Sequence, residues 1–306
     1  MPAIVVTILL ATGVGVWAEE RYGGRASSAA RRMLLFVLYV ILPPVTFLNL
    51  ARAEIDVHTG VGIVLAYVAV LGALAIAWVL GARVLRLSRP ATGSLLCATL
   101  IANTGYLGYP LIAAGFGFDA LSEAIVYDLL VSAPSLVIGG FAIGAAFGAE
   151  AGEGVRERIG AFLLRNPALY AGALGLLAPD ALAPDWLVDA SRIAVLAVLP
   201  LGFFAVGAAL AEEADERHMA VPPPLSVPVA VGVALRLVVA PALLFVIALP
   251  LIELPDTYLV MAAMPSGINS LIIAHAYGLD VRNSAGAIAW STAIAAVGIV
   301  LAALLL

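Results

Sequence analysis

Apolar runs of about 20 residues recur along the whole chain, parted by short polar connections, and no stretch alternates with the two-residue period of a barrel strand. The pattern predicts about ten membrane-spanning helices, near 3–18, 33–51, 60–82, 92–117 and 121–148, then 166–179, 187–210, 225–250, 256–277 and 282–306. The sixth is short enough to be interfacial or a shortened span. The N-terminal run "MPAIVVTILLATGVGVWAEE" lacks the basic region of a cleavable signal peptide and reads as a first span. The longest polar piece, "GAEAGEGVRERIGAFLLRNP" (148–167), divides a first half, 1–148, from a second half, 166–306, with 149–165 as linker.

Composition supports an all-α integral membrane protein. Hydrophobic residues make up 63% and charged residues 11% of 306, with a mean hydropathy of +1.11, against about a quarter charged in soluble domains. The net charge of -5 says little about partners for a chain embedded mainly in lipid, and a nucleic-acid partner is not expected. Lysine is absent, so all 15 basic residues are arginine. Arg21, Arg25, Arg31, Arg32, Arg83, Arg86, Arg89, Arg156, Arg158, Arg165, Arg217 and Arg282 fall on one side of the predicted spans, and only Arg52 and Arg192 on the other. Positive charge marks the cytoplasmic side, so both termini are expected outside the cytoplasm of a multi-pass cell (inner) membrane protein. The single cysteine, Cys97, lies in an apolar run and reads as packing.

Two spans contain residues that suit a membrane helix poorly. "NTGYLGYP" (103–110) interrupts the fourth and "MPSGINS" (264–270) the ninth, each combining proline, glycine and amide or hydroxyl side chains. Proline removes a backbone donor and glycine weakens a helix by ~1 kcal/mol relative to alanine. Non-helical backbone at this depth survives only inside protein or beside a polar cavity. Glycine that merely lets helices pack closely is the alternative for an isolated case. Broken helices bare amides at one half-helix N-terminus, an end suited to carboxylates.

The halves also resemble each other. "AAGFGFD" (113–119) matches "AHAYGLD" (274–280) at an offset of 161, and "LPPVTF" (42–47) matches "LPLGFF" (199–204) at 157. Five spans per half would set the second half upside down, the inverted-repeat architecture of carriers that alternate access around a midplane site.

Asp128 in the fifth span and Arg236 in the eighth are the ionisable residues placed most deeply. A mid-bilayer charge costs at least ~2.5–3.5 kcal/mol and normally faces a partner or cavity. Arg236 would neutralise an anion and Asp128 take up a proton or cation; alternatively the two pair structurally, or snorkel. His275, near the mouth of the ninth span, reads as packing or as a proton relay. Tyr106 and Tyr109 flank the first break and offer hydroxyls, an apolar wall, or simple filling.

These motifs resemble the auxin efflux carrier family. "NTGYLGYPLIAAGFG" is similar to its fourth-helix motif, and "LPPVTF", "RNPALYAGALGLL" (165–177) and "MPSGINSLIIAHAYG" (264–278) follow in the family's order across nearly the whole chain. The resemblance implies two inverted five-helix repeats, broken helices four and nine crossing in a mobile transport domain, a scaffold of helices one, two, six and seven at a homodimer interface, and elevator-like movement. The bile acid:sodium symporter superfamily shares this architecture. Asn103 occupies the family's asparagine and Pro110 its crossover proline; Pro265 and Gly267 match the ninth-helix motif. Where plant members carry a second proline this chain has Ser270, preceded by Asn269, as in bacterial members for which malate or malonate are proposed substrates.

The expected function is secondary transport of a small organic anion, a dicarboxylate or auxin-like acid, with Asn103, Thr104, Gly105, Tyr106, Pro110, Pro265, Ser266, Gly267, Asn269 and Ser270 at the substrate site. Asp128, Arg236 and His275 are candidates for proton or sodium coupling or charge pairing. A sodium-coupled symporter of the bile acid type and a non-transporting sensor are the alternatives. No HExxH, GxSxG or facing aspartate pair suggests an enzyme, and no cofactor or metal site is expected.

Overall fold

The computed structural model describes residues 2–53, 57–149, 167–216 and 223–305. The helices are α1 (Pro2–Tyr22), α2 (Gly24–Leu50), α3 (Thr59–Val84), α4 (Arg89–Leu100), α5 (Tyr109–Gly115), α6 (Phe118–Phe147), α7 (Pro167–Leu177), α8 (Asp185–Glu216), α9 (Val227–Ala248), α10 (Asp256–Ala262), α11 (Asn269–Tyr277) and α12 (Val281–Leu305). Seven of these, α1, α2, α3, α6, α8, α9 and α12, are long and apolar enough to cross a membrane. No strand occurs among the described residues. The protein is an all-α integral membrane protein. Its lipid-facing surface shows in Leu9, Leu10 and Val14 on α1 and Val64, Val68 and Leu71 on α3, all exposed at helical spacing.

The sequence reading placed the second span near 33–51. Instead α2 begins at Gly24, and Gly23, at φ 55°, makes the turn from α1. The polar 24–32 segment is helical because Glu19 closes the turn, its carboxylate accepting both the Ser27 amide at 2.9 Å and the Ser27 hydroxyl at 2.6 Å. The fourth and ninth spans are each two short pieces, α4 with α5 and α10 with α11. Every residue from Ala91 to Leu100 in α4 is buried, so this half-helix sits wholly inside protein. Linker residues 150–165, with Arg156, Arg158 and Arg165, and also Arg217 lie outside the described residues.

Four prolines explain much of the local irregularity. A helical proline offers no N–H to the carbonyl four residues back, and its ring crowds that carbonyl. Before Pro43, Pro110, Pro134 and Pro241 the chain answers with a π turn, at Val37–Ile41, Thr104–Gly108, Asp128–Ser132 and Leu235–Val239. In each, the residue preceding the proline donates five residues back: Leu42 to Val37, Tyr109 to Thr104, Ala133 to Asp128, Ala240 to Leu235. The carbonyl that Pro134 leaves without an amide, that of Leu130, takes the Tyr67 hydroxyl at 2.5 Å. π turns bulge the helix and re-aim its side chains; Asp128 and Arg236 both lie in one.

Helices α1, α2, α7 and α8 pack on one another. Two glycines permit the close α1–α8 crossing: a Cβ on Gly15 would fall 2.2 Å from the Phe204 carbonyl oxygen, and one on Gly207 would fall 2.2 Å from that of Thr12. Lipid supplies no hydrophobic drive between helices, so such small-residue contacts carry the packing. The remaining helices surround α4 and the two interruptions, and α8 meets them where Gly202 receives the Tyr106 side chain.

Candidate functional site

The two interruptions meet. Ile101 leaves α4 extended, at φ -91° and ψ 106°, which turns the backbone of 101–103 out to run beside 265–267. Ala102 and Ser266 form an isolated antiparallel bridge. The Asn103 amide donates to the Pro265 carbonyl and the Gly267 amide to the Ile101 carbonyl, both at 2.8 Å. Backbone amides that have no water to bond thus satisfy each other. Gly267 suits this approach, since a Cβ there would stand 3.0 Å from the Ala102 oxygen and press the paired backbone slightly apart. Ser266 fixes the pair further: its hydroxyl donates to the Ala98 carbonyl at 2.8 Å and its amide to the Ser291 hydroxyl at 3.0 Å.

The carbonyl-bearing ends of the half-helices are closed by one side chain. Arg236, 2% exposed, donates from Nε to Met264 at 2.8 Å, from Nη1 to Thr99 at 3.0 Å and from Nη2 to Ala262 at 2.6 Å. Thr99 is the penultimate residue of α4, Ala262 is the last of α10 and Met264 lies two residues beyond it, so one guanidinium caps both ends. A planar five-donor fork with permanent charge suits this where a lysine would not. Its positive charge also meets the negative ends of two helix dipoles. Arg236 and Asp128, weighed as a structural pair, have different hydrogen-bond partners.

With the carbonyl ends capped, the amide ends are left toward open space. A cleft of about 640 Å³ is lined by Asn103, Thr104, Gly105, Tyr106 and Tyr109 from the first interruption, Gly267, Ile268 and Asn269 from the second, Asp128 from α6, and apolar residues of α2, including Leu38 and Leu42. A Cβ on Gly105 would meet nothing within 4 Å. Asp128 is partly buried; its Oδ1 accepts the Thr104 hydroxyl and its Oδ2 the Tyr109 hydroxyl at 2.8 Å. Asn103 is 4% exposed, and its side-chain oxygen is buried without a hydrogen-bond partner. An unpaired buried polar atom costs about 1–3 kcal/mol, which a ligand or water in the cleft would relieve.

The remaining sequence candidates stand apart from this lining. Pro110 is buried in α5 and acts through the π turn before it. Pro265 presents its carbonyl to Asn103, and the Ser270 hydroxyl donates to Gly267 at 2.8 Å. His275 lies in an adjoining cavity of about 380 Å³ with its Nδ1 3.0 Å from Glu213. Arg31 lines both cavities. The sequence gives no local signal for Ser291, which accepts the Ser266 amide, or for Glu213, which meets His275 in the adjoining cavity; only the fold brings them near 266 and 275.

Residues 3–148 and 160–302 match the family described as membrane transport protein. The chain belongs to that family. The match spans nearly the whole chain, and within it the resemblance to auxin efflux carriers holds. An uncharacterized transporter of the archaeon Methanocaldococcus jannaschii is 24% identical over 301 residues, covering 93% of this chain and 92% of the relative. The chain is therefore a multi-pass membrane transport protein.

Proposed function

We propose that the protein is a secondary carrier of small organic anions, carboxylates above all, which bind in the cleft where the two interruptions meet. The observation that carries this reading is the asymmetry of the break. Arg236 caps the carbonyl ends of α4 and α10, which leaves the start of the 104–108 turn and Asn269, the first residue of α11, beside the cleft. The first four amides of a helix have no partner within it, and two such ends favour negative charge. Asn103 and Asn269 add amide groups at the same place.

The interrupted segments and α7 complete a ten-segment plan of two inverted halves, each broken once. Helices α1, α2, α7 and α8 form the scaffold, paired between two copies in a homodimer, and the body containing the interruptions slides against it as an elevator. Gly202 beneath Tyr106 supports such a sliding contact. The arginine asymmetry sets both termini outside the cytoplasm of the cell (inner) membrane.

Purified protein in proteoliposomes tests the reading. Exchange of ¹⁴C-labelled malonate, malate or indole-3-acetate against the unlabelled acid is expected, and Asn103→Ala is expected to lower it at least tenfold while remaining monodisperse. Absence of exchange and of gradient-responsive flux across these acids in the intact protein would remove the carrier reading. Undiminished exchange in Asn103→Ala would remove the assignment of the site.

A further inference from the structure

The carboxylate of Asp128 is tied to the first interruption and to nothing else charged. Both hydroxyls that reach it, from Thr104 and Tyr109, belong to the segment that begins the second half of the broken helix. No arginine or histidine pairs with it among the described residues. The surrounding groups are Tyr106 on the same segment, Tyr127 on α6, and Tyr67 on α3, whose hydroxyl is held by Leu130. Arg31 and Tyr39 of α2 line the cleft, α7 contributes only Ala168 to it, α8 Val198, and α11 Asn269 and Ile272. Arg31 has its side chain 77% exposed, 4.0 Å from Glu212. Arg236 on α9 is engaged by its three carbonyls.

An anion entering this cleft therefore meets a carboxylate already there. It also meets two hydroxyls whose hydrogens point at that carboxylate, so they have nothing to donate to a newcomer. Asn103 lines the same cleft, and its buried side-chain oxygen has no hydrogen-bond donor; as an acceptor it can be satisfied by water or by a hydroxyl of the substrate, not by a carboxylate. One event removes both obstacles. A proton placed on an Asp128 oxygen cancels the repulsion, and that oxygen becomes a donor, so the hydroxyl that bonded it must turn away and is freed to donate to the anion.

We infer that Asp128 is the coupling site at which one proton is taken up with each substrate anion, so that proton and anion cross together. This rests on the reading of the cleft as an anion site. The proton comes from water on the side of uptake, resides on a carboxylate oxygen of Asp128 while the anion is bound, and returns to water on the other side when the anion leaves. Thr104 and Tyr109 are positioning residues that link it to the broken helix. A single carboxylate whose neighbouring hydroxyls point their hydrogens inward fits a proton better than a metal cation, which would need several oxygen lone pairs turned toward it.

The experiment separates carrier from coupling. Proteoliposomes, loaded with unlabelled malonate or malate for exchange and left empty for accumulation, receive the [¹⁴C]-labelled acid outside, the voltage is clamped at zero with potassium and valinomycin, and two quantities are read. Exchange at equal pH reports the carrier. Accumulation against a one-unit pH gradient reports coupling, with about tenfold expected for one proton per anion. Asp128→Asn, which imitates the protonated state, is expected to accumulate nothing against the gradient, and the exchange it retains should no longer vary with pH; retained exchange that follows pH as in the intact protein overturns the assignment. Exchange without gradient response in the intact protein overturns the coupling and leaves the carrier reading standing. Accumulation by Asp128→Asn equal to that of the intact protein, or replacement of the pH gradient by a sodium gradient, overturns the assignment. Absence of exchange in the intact protein overturns both. Should Asp128→Asn fail to fold, Tyr109→Phe serves: removing one of the two hydroxyls that hold the carboxylate is expected to change accumulation against the pH gradient relative to exchange, and an unchanged ratio overturns the proposal.

Discussion

Nη2 of Arg236 lies 2.6 Å from the carbonyl oxygen of Ala262, the last residue of α10. The same guanidinium reaches Thr99 of α4, 163 residues earlier than Ala262 in the chain, at 3.0 Å. One side chain therefore joins the ends of two helices at the centre of the fold, beside the pairing of 101–103 with 265–267. Removing it leaves three buried carbonyls without donors, at about 1–3 kcal/mol each where nothing replaces the bond. Arg236→Leu is expected to lower the melting temperature in detergent strongly, and Arg236→Lys to recover only part because a lysine cannot span three carbonyls in one plane. A melting temperature unchanged in Arg236→Leu would mean that the caps are dispensable.

How much of this was legible beforehand varies by residue. The interruptions were, because proline, glycine and asparagine in apolar runs contradict helix physics wherever they occur. The role of Arg236 was not, since a lone arginine in a span signals a partner without saying which. Its partners are backbone carbonyls, which look alike in every sequence. Ser266 and Ser270 read as possible ligands for a substrate, yet their hydroxyls donate to the Ala98 and Gly267 carbonyls. The prolines were visible, but not their consequence: Pro134 and Pro241 follow π turns, while Pro200 lies within the continuous α8. Whether a helix answers a proline by bulging depends on what its neighbours offer the freed carbonyl, as Tyr67 does for Leu130.

Gly267 and Gly105 sit in the two interruptions but face opposite constraints. A methyl group on Gly267 meets backbone atoms of Ala102 at 3.0 and 3.2 Å, and backbone cannot turn aside as a side chain would. Gly267→Ala is expected to separate the bridged segments and cut transport at least tenfold with the helical content retained. Gly105→Ala meets open space and should leave the melting temperature unchanged, altering only affinity through the cleft it lines. Equal behaviour of the two variants in flux and thermal assays would show that the contact between the interruptions is not required.

The α1–α8 crossing gives a purely structural prediction. Gly15 and Gly207 each face a carbonyl of the other helix at a distance no Cβ can occupy. Alanine at either position must push the helices apart, at about 1–3 kcal/mol by analogy with overpacked cores. Gly207→Ala should lower the detergent melting temperature. Because the two glycines lie in one contact, the double variant should cost less than the sum of the singles. Strict additivity would show that the helices meet elsewhere.

A contrasting outcome is expected at the rim. Arg192 bonds the Asn49 side-chain oxygen at 3.2 Å and pairs with Asp119 at 3.0 Å, but the Asp119 side chain is 98% exposed. Exposed pairs contribute at most about 1 kcal/mol, so Asp119→Asn should barely change the melting temperature.

Pro110 tests whether the break itself matters to movement. Its ring denies an amide to the Tyr106 carbonyl, and the turn before it winds as a π helix in which Tyr109 donates to Thr104. Alanine at 110 restores that amide, so the 104–108 segment can relax toward regular α geometry. The relaxation rotates Thr104 and Tyr109 relative to Asp128, to which both donate. Helix stability should rise, since proline in a helix interior costs about 3 kcal/mol relative to alanine. Turnover should fall, because the hydroxyls no longer meet the carboxylate together. Pro110→Ala is therefore expected to melt at or above the temperature of the intact protein while exchanging malonate several-fold more slowly. An unchanged exchange rate would show that the geometry imposed by Pro110 does not limit transport.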